Sequence, residues 1–274
     1  VVRGVRSGIG VGLGFCFGFC FGCDFGQPAN GGFFIIFEVN EIMLDHFPRP
    51  DVDYPHRNRD YFIAGFTFFC VAVSLVIDGN ASFEIQNALG VIAWIFLLGL
   101  LIGENKEVRM QVVIAVAFAT AGEHFASIYM EGYTYRFGNV PLYVPPGHGM
   151  VYLTAVALAR SRLFLLNARK LAVFVIAIGG IWSLWGISGI PEQGDQVGAF
   201  LFCIFVICIF KGRSPMVYLG AFFICTWLEI VGTASGTWKW ASIEPIFNWT
   251  QGNPPSGVAA WYCLVDAVAI GFSP

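Results

Sequence analysis

The sequence predicts an all-α fold, a polytopic membrane helix bundle of about eight transmembrane helices built as a parallel duplication of a four-helix unit. Three observations predict it. Hydrophobic residues make up 57% of the 274 and charged residues 12%, with a mean hydropathy of +0.69, whereas soluble domains carry roughly 25% charged residues. Apolar stretches recur at lengths near the roughly 17–25 residues that cross a bilayer. Basic residues then alternate between the connecting loops in a strongly unequal way. A soluble enzyme, a nucleic-acid binder and a disordered tail protein are excluded. Fifteen Lys and Arg in a chain of net charge −3 offer no basic surface to nucleic acid.

The elements follow in chain order. Residues 1–58 read as a cytoplasmic segment, largely disordered or non-native. The segment begins with Val rather than Met, and its run GIGVGLGFCFGFCFGCDFG is a poor helix former and lacks the cleavage pattern of a signal peptide. Eight spans are expected at about 61–77, 86–103, 109–130, 148–166, 171–190, 195–210, 215–235 and 257–272. Helices are required because no period-2 alternation is present and backbone groups in hydrocarbon must be bonded within their own segment. The last run is short for a span, which suits a chain cut short. Cys70, Cys203, Cys208, Cys225 and Cys263 lie within apolar runs and read as small hydrophobes.

Loop charge sets the orientation. With the segment before the first span in the cytoplasm, Arg3, Arg6, Arg49, Arg57, Arg59, Lys106, Arg109, Arg160, Arg162, Arg169, Lys170, Lys211 and Arg213 all lie inside. Arg136 and Lys239 alone lie outside. This asymmetry predicts an integral membrane protein with both termini cytoplasmic, and a bacterial inner membrane is its expected location. The charged stretches Pro55–Asp60 and Glu104–Arg109 read as solvated cytoplasmic faces.

An internal repeat divides the chain into 59–167 and 168–274. Each half holds an outer loop with an aromatic-x-aromatic pair (Tyr133/Tyr135; Trp238/Trp240), a Pro, a Pro-Pro pair and a following aromatic (Tyr152; Trp261 and Tyr262). The Pro-Pro pairs lie 109 residues apart and the preceding acids, Glu123 and Glu229, 106 apart. Such a shift keeps both halves in one orientation, a parallel repeat about an axis along the membrane normal. The loop aromatics, Tyr143 and Trp249 included, suit either an interfacial belt or a binding wall. The prolines are expected to stiffen the loops as a lid or re-entrant turn.

Ionisable residues within spans are costly and mark function by default. Three acids qualify: Glu123, Glu229 and Asp266. Glu123 shares a helical face with Ser127 and Glu131, and Tyr262 stands one turn from Asp266, within hydrogen-bond reach. His148 opens the fourth helix, where the dipole favours neutral imidazole as a hydrogen-bond partner or acid/base group. A metal site from Glu123, His124, Glu131 and His148 has suitable ligand types but lacks ligand spacing, so no metal is expected. The acids also have a structural reading, as caps of loop amides or bonds between halves.

The segment Glu229-Ile-Val-Gly-Thr-Ala-Ser-Gly-Thr-Trp-Lys-Trp resembles membrane-embedded carotenoid hydratases and lycopene cyclase-like proteins, in which an intramembrane acid precedes a Thr/Ser-Gly and an aromatic pair. Their Phe-Gly-x-Tyr and Pro-x-Glu-Glu stretches have no counterpart here. The first half, with Val-Pro-Pro-Gly-His-Gly, is similar to a group of uncharacterised bacterial multi-pass membrane proteins. The resemblance implies roles for Glu229, Gly232, Ser235, Gly236, Trp238 and Trp240, and a hydrophobic small-molecule substrate.

The expected function is therefore an isoprenoid or carotenoid-type lipid-modifying enzyme. Glu229 would protonate a double bond, Trp238, Trp240 and Tyr133 would face the developing cation, and Glu123 or Asp266 would take the proton or activate water. Tyr135, Tyr262 and Ser235 complete the expected substrate-binding set, with His148 beside the acids. No nucleotide motif is present, so no cofactor is expected. A proton-coupled transporter and a non-catalytic scaffold or assembly subunit are the competing classes. The lipid bilayer is the expected surroundings, and the oligomeric state is open.

Overall fold

The computed structural model describes residues 46–272, so the Gly/Phe/Cys-rich run and its expected disorder lie outside the described residues. Among the described residues there are eight α-helices. They are α1 (Asn58–Asp78), α2 (Phe83–Leu101), α3 (Lys106–Glu123), α4 (Val144–Arg160), α5 (Arg162–Ile187), α6 (Gln196–Lys211), α7 (Pro215–Ala234) and α8 (Ala259–Phe272). A single π-helical turn, His124–Tyr129, prolongs α3. Two short strands, β1 (Tyr133–Tyr135) and β2 (Trp238–Trp240), pair antiparallel and add a small sheet to the expected all-α fold. The order of three helices, a strand and a helix thus runs twice along the chain.

Helix starts follow capping chemistry. Ser82, Asn105, Ser161 and Asp195 each accept a bond from the backbone N–H three residues on. Pro215 opens α7, where its missing N–H costs nothing. Five helices are long and apolar enough to cross a membrane: α1, α2, α3 with its π-turn, α5 and α7. Helices α6 and α8 are apolar but shorter. Outward-facing Phe62, Phe69, Ile95, Leu98, Phe174 and Leu184 are all exposed, an apolar exterior that belongs in lipid rather than water. The remaining expected span, α4, is the interior helix. It packs against α1, α2, α3, α5 and α7, and ten of its residues are buried.

Several expectations need correction. The fourth and fifth helices are separated by Ser161 alone, because its side chain caps α5 at once. Arg169 and Lys170 therefore lie inside α5, not in a loop. Pro145 and Pro146 form the first turn of α4 rather than a lid, since φ near −65° suits that turn. His148 consequently stands in the second turn.

The two charged stretches are not simply solvated. Asp60 is fully buried and Glu104 is 6% exposed. Arg160 donates to Asp60 at 2.7 Å and to both Glu104 oxygens at 2.8 and 2.9 Å. Arg59 bonds Glu104 at 3.2 Å and the Leu100 carbonyl at 2.6 Å. The cluster ties α1, the α2–α3 turn and the end of α4. Burial by itself would raise the Glu104 carboxyl, but the Arg160 and Arg59 guanidinia outweigh it and hold the group below its ordinary value.

At the opposite end the strands join the two halves. Tyr133 pairs with Trp240, Thr134 with Lys239 and Tyr135 with Trp238. Gly132 accepts Ala241 N at 3.0 Å and Gln251 Nε2 at 2.8 Å, extending the seam.

Candidate functional site

Alternation along a strand sends side chains to opposite faces. In β1 and β2 it buries both Tyr residues and both Trp residues on one side while Thr134 and Lys239 stay exposed. The four buried rings carry polar tips that need partners, and the two acids supply them. Tyr133 and Tyr135 donate to Glu123 Oε2 at 2.6 and 2.8 Å. Trp238 and Trp240 donate to Glu229 Oε2, each at 3.0 Å. Each half thus folds its own aromatic pair back onto its own acid, and the strand pairing sets the two sites side by side. The Tyr133 and Trp240 ring centroids are 4.6 Å apart. A belt of interfacial aromatics therefore does not describe these four. Trp249 does remain partly exposed, while Tyr143 is buried with its hydroxyl on Asp78 at 2.9 Å.

The two sites differ in chemistry. His148 donates from Nε2 to Glu123 Oε1 at 2.8 Å, with its ring stacked against Tyr262 at 5.5 Å. Both Glu123 oxygens are engaged. At Glu229 both indoles share one oxygen, and no group among the described residues bonds Oε1. Indole N–H groups only donate, whereas phenols and imidazole can also pass protons. Burial, then the Glu123 carboxylate and its hydrogen bond, then Glu229 push the Tyr133 phenol well above its ordinary value. Tyr135 moves the same way, through burial and Glu123. Both tyrosines stay neutral donors.

The chain geometry explains the acids' placement. The π-turn after Glu123 widens the helix by one residue before the strand, a feature common at functional sites. It also ends the expected face: Ser127 Oγ bonds the Glu123 carbonyl at 2.8 Å, but Glu131 leaves the helix with a positive φ of 55°. In the second half Gly232 lets the Trp238 ring lie directly on α7, where a Cβ would overlap it.

Other expected members stand apart. Asp266 is 2% exposed, makes no bond to Tyr262, and its Oδ2 has no partner. Ser235 caps the end of α7 with its carbonyl against Gly79, and its side chain makes no hydrogen bond to either carboxyl. His124 is exposed and bonds the Thr120 carbonyl at 2.8 Å. Among the described residues no group of three or more His, Cys, Asp or Glu side chains is placed to hold a metal.

Two buried aspartates that organise the loops were missed by the sequence reading. Asp78 receives Tyr143 and Gln86 Nε2 at 3.0 Å, while Asn139 bonds Gln86 at 3.0 Å. Asp195 accepts from the amides of Gly198, Gly252 and Ser256 at 3.0, 2.8 and 2.8 Å. Asp195-x-x-Gly198 carried a helix-start signal, whereas nothing near Asp78 announced Tyr143, 65 residues away. Comparison of the chain with protein-family models, curated proteins and solved structures returned no match.

Proposed function

We propose that the chain is an integral membrane enzyme that protonates a hydrophobic, isoprenoid-type small molecule with intramembrane carboxyls, as the resemblance to carotenoid hydratases and lycopene cyclase-like proteins implies. The carrying observation is the unequal pair of acids, Glu229 buried with one oxygen uncommitted and Glu123 half-buried with both oxygens bonded and His148 attached. In this reading Glu229 Oε1 bears the transferable proton and delivers it to a substrate double bond. The Trp240 and Tyr133 rings, a tilted pair with centroids 4.6 Å apart, and the Glu123 carboxylate stabilise the cation that forms. His148 takes up the proton lost from a neighbouring carbon, or one from a water that adds to the cation, so charge balances in either outcome.

The same reading takes the repeated element order and paired strands as support for a duplicated four-helix unit with eight spans. It sets the Arg160 end in the cytoplasm of a bacterial cell, as the loop charges favour, with both termini on that side. A scaffold is the second reading, favoured by the acids' bonds to their own loops.

The test is expression in a host that accumulates an isoprenoid polyene, followed by chromatography of the lipid extract. Glu229→Gln is expected to lower conversion about a hundredfold or more, with membrane insertion and melting behaviour retained. Glu123→Gln and His148→Phe are expected to act in the same direction. If Glu229→Gln leaves the product profile of the wild type, the catalytic reading is lost. Loss of pH-dependent uptake into vesicles instead would identify a carrier.

A further inference from the structure

Beside the β1–β2 sheet lies an open cleft of about 400 Å³, lined by Glu131, Tyr133, Thr134, Lys239, Trp240 and Ile243 among others. Tyr133 and Trp240 are buried, while Glu131, Thr134 and Lys239 are exposed. Neither Glu131 nor Lys239 makes an ion pair or side-chain hydrogen bond among the described residues. One acid and one base thus stand free on the same cleft.

Glu131 also holds a left-handed backbone conformation that strains a non-glycine residue. Its φ is 55°, and it lies two residues before β1; Gly236, two residues before β2, has φ 72°. The second half solves the same turn with glycine. The first half keeps a strained glutamate there, and a carboxylate at the cleft edge gives that strain a purpose.

An apolar ridge adjoins the charges. Ile243 bridges to Thr250, and the Glu244 carboxylate accepts from Ile246 N at 2.8 Å and Phe247 N at 2.7 Å, fixing a tight hairpin. Ile246 and Phe247 are exposed, and Trp249 packs edge-on against Phe200 of α6 at 5.6 Å. Exposed Phe200 belongs to an apolar helix, so the ridge continues the surface that faces lipid.

We propose that this cleft binds a zwitterionic phosphate–ammonium headgroup of a membrane lipid, with Lys239 on the phosphate, Glu131 on the ammonium and the acyl chains along Ile243, Ile246 and Phe247. A purely anionic headgroup meets repulsion from Glu131. A quaternary ammonium has no N–H to donate to it. The assignment is independent of the acid–base reading, although Tyr133 and Trp240 belong to both sites.

Native mass spectrometry of the detergent-purified protein tests it, with phosphatidylethanolamine, phosphatidylcholine and phosphatidylglycerol added in turn. Phosphatidylethanolamine is expected to be retained preferentially. Lys239→Gln and Glu131→Gln are each expected to reduce that retention about tenfold, and both positions are exposed, so folding is preserved. Equal retention of the three lipids, or retention unmoved by either variant, would overturn the proposal. Displacement by free O-phosphoethanolamine at matching concentration would reassign the cleft to a soluble zwitterion and overturn the lipid assignment. Turnover readings of Glu229→Gln do not bear on this outcome.

Discussion

Arg160→Met is expected to destabilise the protein by about 3–5 kcal/mol, the usual cost of leaving buried carboxylates without their cation. Asp60 has no exposed side-chain surface and Glu104 retains 3%, and Arg160 contacts both. Arg57 reaches Asp60 at 3.1 Å and Arg59 reaches Glu104 at 3.2 Å, but both arginines are more than 40% exposed and compensate weakly. Thermal unfolding in detergent would measure the loss. The triple variant Arg160→Met with Asp60→Asn and Glu104→Gln is expected to recover much of it, because the uncompensated charges are gone. A single variant that melts with the wild type would contradict this account.

The same cluster carries a pH dependence of defined sign. The Glu104 carboxyl is held below its ordinary value in the folded protein. Its contribution is therefore fully present above the ordinary carboxylate range and is lost as pH falls through the depressed folded value. Acidification should narrow the gap between wild type and Arg160→Met. A gap constant down to strong acid would exclude Glu104 as its source.

Gly257→Ala should be the most damaging conservative change at the other end of the molecule. A Cβ there would overlap the Phe202 amide nitrogen and the Gly198 carbonyl, and would lie 2.6 Å from the Leu201 carbonyl carbon. These are backbone atoms of α6, so no rotamer can yield. Overpacking costs typically 1–3 kcal/mol and more where nothing can move, and a loss of about 3 kcal/mol or more is expected by thermal unfolding. Gly65→Ala is the control. Its Cβ would meet nothing within 4 Å, and alanine within helix α1 should hold or raise stability by several tenths of a kcal/mol. Similar melting of the two variants would refute the close approach of the turn before α8 to α6.

Hydropathy and loop composition located most helices well. The run read as 215–235 is α7 (Pro215–Ala234), and 195–210 is α6 (Gln196–Lys211). Boundaries failed where local chemistry overrode hydropathy. Pro145 and Pro146 look like loop residues but are tolerated in a first turn, so α4 begins four residues before the predicted 148. Ser161 closes the α4–α5 turn in one residue, which apolar content does not reveal.

The candidate site was legible in its residue types and partly in its pairing. Acids followed by aromatic-x-aromatic at matching distances marked Glu123 with Tyr133 and Tyr135, and Glu229 with Trp238 and Trp240. Asp266 joined the same list as an ionisable residue within a span, one turn from Tyr262, yet it bonds to none of them. Ser235 was included for its place in a motif, but it serves as the cap at the end of α7 and bonds neither acid.

Composition and periodicity determine which segments are helical and apolar, because those properties are local and additive along the chain. They also announce which polar residues must be reconciled with an apolar interior. Which partner each polar group finds depends on contacts between distant residues: Arg160 with Asp60 across 100 positions, His148 with Glu123 across 25, and β1 with β2 across the two halves. Hydrogen bonds and ion pairs act only at contact distance, so packing decided that His148 would join Glu123 and that the two acids would lie side by side.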